Sequence, residues 1–198
     1  MSRPPLALTL TASQTVGPFF GPAMLRPDAA RNVLTDGADP AGERIRIEGR
    51  VYDGDRLPVP DALVEIWQAN AHGRYNHPAD SRPLPLEPNF LGFGRSGTDG
   101  DGGFWFDTVK PGPVPAGDGA MQAPHIVVSV FARGLLNHVV TRLYFADEPS
   151  NAADPVLARV PPERRATLLA APIRAGGSTI YRFDIVLQGE GETAFFNL

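Results

Sequence analysis

The amino-acid sequence predicts an all-β protein, an antiparallel β-sandwich with long loops. The 198 residues include 21 glycines and 21 prolines, about a fifth of the chain, and this share disfavours long helices and favours turns. Short apolar stretches with alternating polarity recur between clusters of Gly, Pro, Asp and Asn, which is typical of strands joined by turns. These two observations exclude coiled coils and helical bundles.

Six strands follow from the polarity pattern. In RIRIEGRVY, for example, Ile45, Ile47 and Val51 alternate with polar residues, as expected for a half-buried strand. The predicted strands cover residues 44–52, 62–68, 103–108, 125–131, 139–145 and 179–188. The turn sequences LPVPDA and DGDGG predict that the strands they connect are antiparallel neighbours. One or two short helices are expected near residues 154–170, where Asp154 can cap a helical turn.

The first 43 residues are rich in Pro, Gly, Ala and Asp and contain one apolar patch, SQTVGPFFGP. We therefore predict an N-terminal arm over residues 1–43 that contacts a partner chain, followed by a single β-sandwich domain over residues 44–198. Phe19 and Phe20 would be costly apolar surface unless a neighbour covers them. The alternative is that both side chains fold back on their own sandwich.

Composition excludes several classes of function. The chain has no cysteine, so disulfides, thiolate nucleophiles and iron–sulfur clusters are impossible, and a metal would need His, Tyr, Asp or Glu. A net charge of −4 with scattered basic residues argues against a nucleic-acid partner. No apolar run approaches the roughly 20 residues of a membrane span, and the N-terminus lacks the pattern of a signal peptide. We expect a cytoplasmic protein with no membrane partner.

Several polar residues could carry chemistry. The stretch from Asn70 to Gly102 is about 30 residues of predicted loop, and loops of that length are usually functional. It contains HGRYNHP, whose His72, Tyr75 and His77 are either surface residues or ligands, and His125 at the start of HIVVSVF is open to the same two interpretations. The remaining expectations are structural: Trp67 and Trp105 as core aromatics, and Arg74, Arg95 and Arg142 in ion pairs with acids.

The order of the motifs is more specific than any one of them. The runs GRVYDGDRLPVPDALVEIWQANAHGRYNHP, PNFLGFGRSGTDGDGGFWFDTVKPGPVP, APHIVVSVFARG and TRLYFADEP closely resemble the intradiol aromatic-ring dioxygenases. The resemblance covers roughly residues 44–150, and SQTVGPFF and DPVLARVP extend it. It implies a β-sandwich of the intradiol dioxygenase type. It also implies a non-haem ferric iron, held by two tyrosinates and two histidines, that activates a catecholic substrate for ring cleavage by O₂.

This sequence departs from the family's ligand pattern at two of four positions. Tyr75 matches the Tyr of the GRY motif and His125 the first His of HIH, but Val114 replaces the Tyr of PGPYP and Val127 the second His. Valine has no lone pair, and a hard ferric ion favours anionic oxygen donors. We therefore expect no metal ligand, no bound cofactor and no catalytic residue in this chain, and we regard the four positions as vestigial.

The resemblance is then to the iron-free α subunit of a two-chain member of the family. It implies a homologous β subunit that carries the Fe(III), with the substrate protocatechuate bound at the shared interface. The residues of this chain that the resemblance places at that substrate site are Thr15, Gly17, Pro18, Phe19 and Arg133. For Arg133, a solvated surface arginine is the alternative.

Two other functions remain open at this point. One is a self-sufficient intradiol dioxygenase in which residues such as His72 or His77 replace the missing ligands. The other is a β-sandwich binding module with no enzymatic role. A neighbouring gene whose product carries PGPYP and HIH would favour the subunit over both.

Overall fold

The computed structural model describes residues 11–35, 40–117, 119–175 and 177–197, and within these ranges the protein is built mainly from strands, as predicted. One short α-helix, α1, spans Phe20–Met24. The strands are β1 (Arg44–Tyr52), β2 (Leu63–Trp67), β3 (Phe93–Gly97), β4 (Gly103–Val109), β5 (Val114–Pro115), β6 (Met121–Gln122), β7 (His125–Phe131), β8 (Val139–Phe145), β9 (Leu169–Ala175), β10 (Ser178–Arg182) and β11 (Ile185–Val186).

Most of these strands form one sheet that curves until it is nearly closed. Its order is β11-β1-β10-β9-β8-β7-β2-β3, β4 pairs with β1, and β5 and β6 form a separate ribbon. The junction between β8 and β9 consists of two residue pairs, so the sheet has two halves that face each other. Pairing is mostly antiparallel, but β10 and β11 run parallel to β1, and β9 runs parallel to β8.

The two predicted turns do not join neighbouring strands, so that expectation was wrong. β1 pairs with β4 and β10, whereas β2 pairs with β3 and β7. The LPVPDA turn between β1 and β2, and the DGDGG turn between β3 and β4, each carry the chain from one half of the sheet to the other. A turn signal identifies a change of direction, and the hydrophobic faces decide which strands then pair.

The core lies between the two halves of the sheet. Alternate residues of each strand point into it, among them Ile47 and Phe106 from one half and Val64, Ile66 and Val128 from the other. Trp105 falls between two inward phenylalanines of β4 and is therefore on the outer face, 36% exposed, with the Arg46 guanidinium 4.3 Å above its ring. The expectation that Trp105 is a core aromatic was wrong.

Part of the predicted arm belongs to the sandwich itself. Leu34 is fully buried in the core, and Arg31 and Val33 form bridges to Arg95 and Asp107. The expected boundary at residue 43 therefore does not separate the arm from the core. Residues 1–10 and 36–39 of that arm lie outside the described residues.

The apolar patch of the arm divides between the two expectations. Phe20 opens α1 and packs against Phe131, with 5.7 Å between the ring centroids. The neighbouring Phe19 is 81% exposed. One aromatic ring thus folds back on its own sandwich and the other does not.

Three short helices occur, two within the predicted range of residues 154–170 and one just before it. They are 3-10 helices at Pro149–Ala153, Leu157–Arg159 and Pro162–Leu168. Asp154 caps the turn at residues 155–156 that leads into the second of them, since its Oδ1 accepts hydrogen bonds from the backbone N–H groups of Val156 and Leu157. Within the described ranges, no helix has the length and apolar character needed to cross a membrane.

Candidate functional site

The loop after β2 is shaped by Asn70 and Gly73. The Asn70 side-chain oxygen accepts hydrogen bonds from the backbone N–H groups of His72 and Arg74, each at 3.0 Å. Gly73 has φ +77, and a Cβ there would lie 2.1 Å from the carbonyl oxygen of Pro113. Glycine is therefore required for the loop that carries Tyr75 to approach the PGPVP segment that carries Val114.

An ion pair fixes the far side of this loop. Arg82 Nη2 lies 2.6 Å from Asp80 Oδ2, and the same guanidinium donates to the carbonyl oxygen of Gly73. Asp80 Oδ2 also accepts from the backbone N–H of Tyr75 at 2.8 Å. Hydrogen bonds from Arg82 hold the pKa of the Asp80 carboxyl well below its usual value, so the carboxylate stays ionised.

Tyr75 lies on the wall of an open cavity. Its ring stacks on Trp67, with 5.8 Å between the centroids and 12° between the planes. Burial raises the pKa of the Tyr75 hydroxyl, although Arg142 acts against this rise, so the phenol is neutral near neutral pH. Trp67 is half-buried and faces the cavity on the outer side of β2, so its prediction as a core aromatic was wrong.

His125 is a buried, neutral histidine at the start of β7. Its Nδ1 lies 2.8 Å from the carbonyl oxygen of Ala123, which makes Nδ1 the protonated nitrogen and leaves Nε2 as an acceptor. Burial, together with the nearby Arg142 guanidinium, lowers the pKa of His125 to about 4. Val127, two residues further along β7, shares the face of the strand on which His125 lies.

Arg142 on β8 stands opposite Val127 in the strand register. Its Nη1 donates to Gln122 Oε1 at 2.7 Å and lies 3.3 Å from the Tyr144 hydroxyl, which in turn donates to Asp154. Within the part of the chain that the structure describes, no carboxylate lies within 4 Å of the Arg142 guanidinium. The expectation that Arg142 pairs with an acid was wrong.

The other two arginines were also expected in ion pairs. Arg95 Nη2 lies 2.7 Å from Glu65 Oε1, as predicted. Arg74 instead donates a hydrogen bond to the carbonyl oxygen of Leu84.

The four vestigial positions converge on one cavity of about 820 Å³. Tyr75, Val114, His125 and Val127 all line it, and Trp67, His77, Asp80, Arg82, Gln122 and Arg142 are among the other residues in its walls. The sequence motifs therefore identified one place in the fold. The polar groups Gln122 and Arg142 were not predicted there, because they enter through strand pairing.

The residues present do not fit the ferric centre of the family. Of the four ligand positions, one supplies a phenol oxygen, one an imidazole nitrogen and two only valine methyl groups. His72 Nε2 lies 3.5 Å from Glu87 Oε1. His77 Nδ1 accepts a hydrogen bond from the backbone N–H of Ala79. Among the described residues, no group of three or more His, Asp or Glu side chains could hold a metal ion.

The predicted interface residues lie around a second cleft, at the other end of β7. Gly17, Pro18 and Arg133 line this cleft, of about 480 Å³. The Arg133 side chain is 65% exposed and forms an ion pair with Asp61. Thr15 is tied to the same region, since its hydroxyl accepts a hydrogen bond from the backbone N–H of Gly134 at 2.8 Å.

The fold and the converging motif positions identify the class of protein. A family model described as "Dioxygenase" matches residues 15–189. The dioxygenase domain of a carbohydrate-binding fusion protein from Streptomyces sp. SirexAA-E has a TM-score of 0.63 at 29% identity, covering 90% of this chain and 98% of that one. This chain belongs to the intradiol ring-cleavage dioxygenase family.

Two relatives with higher sequence identity are named as single chains of a two-chain enzyme. The protocatechuate 3,4-dioxygenase alpha chain of Pseudomonas putida is 45% identical over 94% of this chain and 96% of its own length. The protocatechuate 3,4-dioxygenase beta chain of Burkholderia cepacia is 39% identical over 97% of this chain and 85% of its own length. In this family, therefore, related alpha and beta chains exist as separate polypeptides.

Proposed function

We propose that this chain is the iron-free α subunit of a protocatechuate 3,4-dioxygenase. It pairs with a homologous β subunit that holds Fe(III), and the complex cleaves protocatechuate with O₂ to 3-carboxy-cis,cis-muconate. The observation that carries this proposal is the pair Val114 and Val127 in the cavity wall beside Tyr75 and His125. Methyl groups at two of four ligand positions cannot hold the ion, so the chemistry has to belong to another chain.

The same two valines support a stable role without metal. Val114 is buried, and Val127 is half-buried between Trp67 and Arg142 in the strand register. Each side chain presents apolar surface where a metal ligand would need a polar group with a lone pair. This wall of the cavity thus carries no negative charge at these two positions and needs no cation to neutralise it.

The cleft lined by Gly17, Pro18 and Arg133 is the part of this chain that we assign to substrate. Phe19, next to Pro18 of this lining, is 81% exposed. Covering such an exposed aromatic ring with a partner surface removes apolar area from water and stabilises the complex. A guanidinium that is largely exposed at the cleft can attract the carboxylate of protocatechuate. Thr15, hydrogen-bonded at the same place, holds the N-terminal segment against the strand exit.

The pairing itself is tested by co-expression with the β chain of the same genome, with an affinity tag on the β chain alone. We expect this chain to co-purify in equal amount and the complex to consume O₂ with protocatechuate. Phe19→Ser should weaken co-purification at least fivefold, because it removes the exposed ring from the interface. Leu57→Ser is the matched control, since Leu57 is 60% exposed and does not line the cleft. Recovery of the β chain alone, fully active, would refute the proposal.

A further inference from the structure

Among the described residues of the cavity lined by Tyr75, His125 and Arg142, one positive charge has no acid partner. Asp80 and Arg82 also line it, and they cancel each other as an ion pair at 2.6 Å. Tyr75 and His125 are neutral near pH 7, because burial raises the pKa of the tyrosine and lowers that of the histidine. Among the described arginine and acidic side chains of the lining, the Arg142 guanidinium is therefore the charge that no carboxylate offsets.

The nearest acid in the hydrogen-bond chain does not neutralise Arg142. Asp154 reaches it only through the Tyr144 hydroxyl, and the Asp154 oxygens also accept from the backbone N–H groups of Ala123, Val156 and Leu157. A guanidinium has five N–H donors, and the hydrogen bonds of Arg142 to described residues all come from Nη1. The remaining donors form no hydrogen bond with a described residue, and Arg142 lines both this cavity and a neighbouring one of about 440 Å³.

The rest of the lining combines apolar and polar groups. Val114, Val127 and the face of the half-buried Trp67 provide apolar and aromatic surface. The Tyr75 hydroxyl and the Nε2 of His125 have no hydrogen-bond partner among the residues that the structure describes. A cation with free donors, an aromatic wall and a few polar groups together form the pattern of a site for a planar, singly charged aromatic anion.

We propose that this cavity binds a small aromatic carboxylate, with the carboxylate on Arg142 and the ring against Trp67 and the two valines. The site is distinct from the cleft assigned to substrate. His125 and Val127 lie near the start of β7 and Arg133 lies beyond its end, so Val127 and Arg133 are about 20 Å apart along the strand. The proposal needs no metal and no partner chain, and it stands independently of the proposed function.

Benzoate is the probe, titrated into the full-length chain at low micromolar protein concentration. The chain has two tryptophans, so the Trp105→Phe background makes Trp67 the only indole and its fluorescence the reporter. We expect saturable quenching and one site per chain by calorimetry. Benzamide, which has the same ring without the charge, should bind at least about tenfold more weakly, as should benzoate to Arg142→Gln, since each change removes a charge-assisted contact.

Two further variants separate charge from folding. Gln122→Glu places a carboxylate beside Arg142, which neutralises the cation without removing it, and should abolish benzoate binding. Gln122→Ala removes the same hydrogen bond without adding charge and should retain binding within about threefold. Arg174→Leu, which deletes an exposed arginine of β9 outside the cavity, is the matched control and should bind normally.

The inference is overturned by any of three results: no binding of benzoate, equal binding of benzamide, or normal binding by both Arg142→Gln and Gln122→Glu. None of these measurements includes a second chain. Their failure would therefore leave the proposed function untouched, and loss of co-purification would leave this inference untouched.

Discussion

Replacing Leu34 by alanine tests whether the segment before β1 belongs to the sandwich. Leu34 is fully buried. Its side chain and those of Ile66 and Phe106 fill the space where a side chain on Gly94 would lie, since a Cβ there would be 2.9 Å from each of them. Truncation of a buried leucine costs about 2–5 kcal/mol through lost burial and the cavity left behind. Because Gly94 offers no side chain to fill that space, we expect a loss of about 3 kcal/mol in the free energy of unfolding.

The assay is urea unfolding of the full chain, followed by fluorescence. A loss of about 3 kcal/mol should lower the urea midpoint by about 1 M or more. Leu57→Ala is the matched control, since Leu57 is 60% exposed and its truncation should change stability by less than about 0.5 kcal/mol. If Leu34→Ala is as stable as this control, the segment is not part of the core and the description of the fold is wrong there.

Two further predictions concern charge. In the complex with a β chain, Arg133→Ala should raise the KM for protocatechuate about tenfold with kcat unchanged, which is the low end of the range for a charge-assisted contact. Asp61→Asn frees Arg133 of its ion pair and should not raise KM. Equal KM values in the parent and both variants would contradict the assignment of Arg133 to the substrate site. The chain should be about 2 kcal/mol less stable at pH 5 than at pH 7, because the unfolded state protonates His125 below about 6.5 and the folded state only near 4. In urea titrations at the two pH values, His125→Asn should lack that difference in the free energy of unfolding. An unchanged pH dependence in the variant would show that His125 is not its cause.

The strands that the sequence predicted are those whose own pattern is sufficient to define them. β1, β7 and β8 match their predicted bounds: β1 alternates between aliphatic and polar residues, and β7 and β8 are short runs rich in β-branched and aromatic residues. The predicted strand over 179–188 is two strands in the structure. It is interrupted where the Asp184 side chain accepts a hydrogen bond from the backbone N–H of Arg50.

The strands that were missed depend on their neighbours. β3 reads FGRSG, and two glycines give it little intrinsic preference for extended structure, so its pairing with β2 decides its conformation. β9 contains Pro172, and the predicted helical region ended at residue 170, so the sequence pattern indicated no strand there; pairing with β10 makes it one. The same dependence on tertiary context applies to Leu34, which lies in a Pro- and Gly-rich segment yet is fully buried in the core.

The candidate site could be predicted in part. The motifs placed Tyr75, Val114, His125 and Val127 together, and the structure brings all four to one cavity. Arg142 and Gln122 could not be located in this way, because they reach the cavity through the pairing of β8 with β7 and of β6 with β5. The phase of alternation in β2 places Ile66 in the core and Trp67 in the cavity wall, and the sequence does not state which of two adjacent apolar residues faces inward.

The most direct test of the account is the iron content of the purified complex of this chain with its β chain, measured by elemental analysis for the parent and for Tyr75→Phe. We predict one iron per pair of chains in both proteins, because Tyr75 holds no metal. Two irons per pair, or loss of iron in Tyr75→Phe, would show that this chain carries its own metal centre and would contradict the proposal that it is an iron-free subunit.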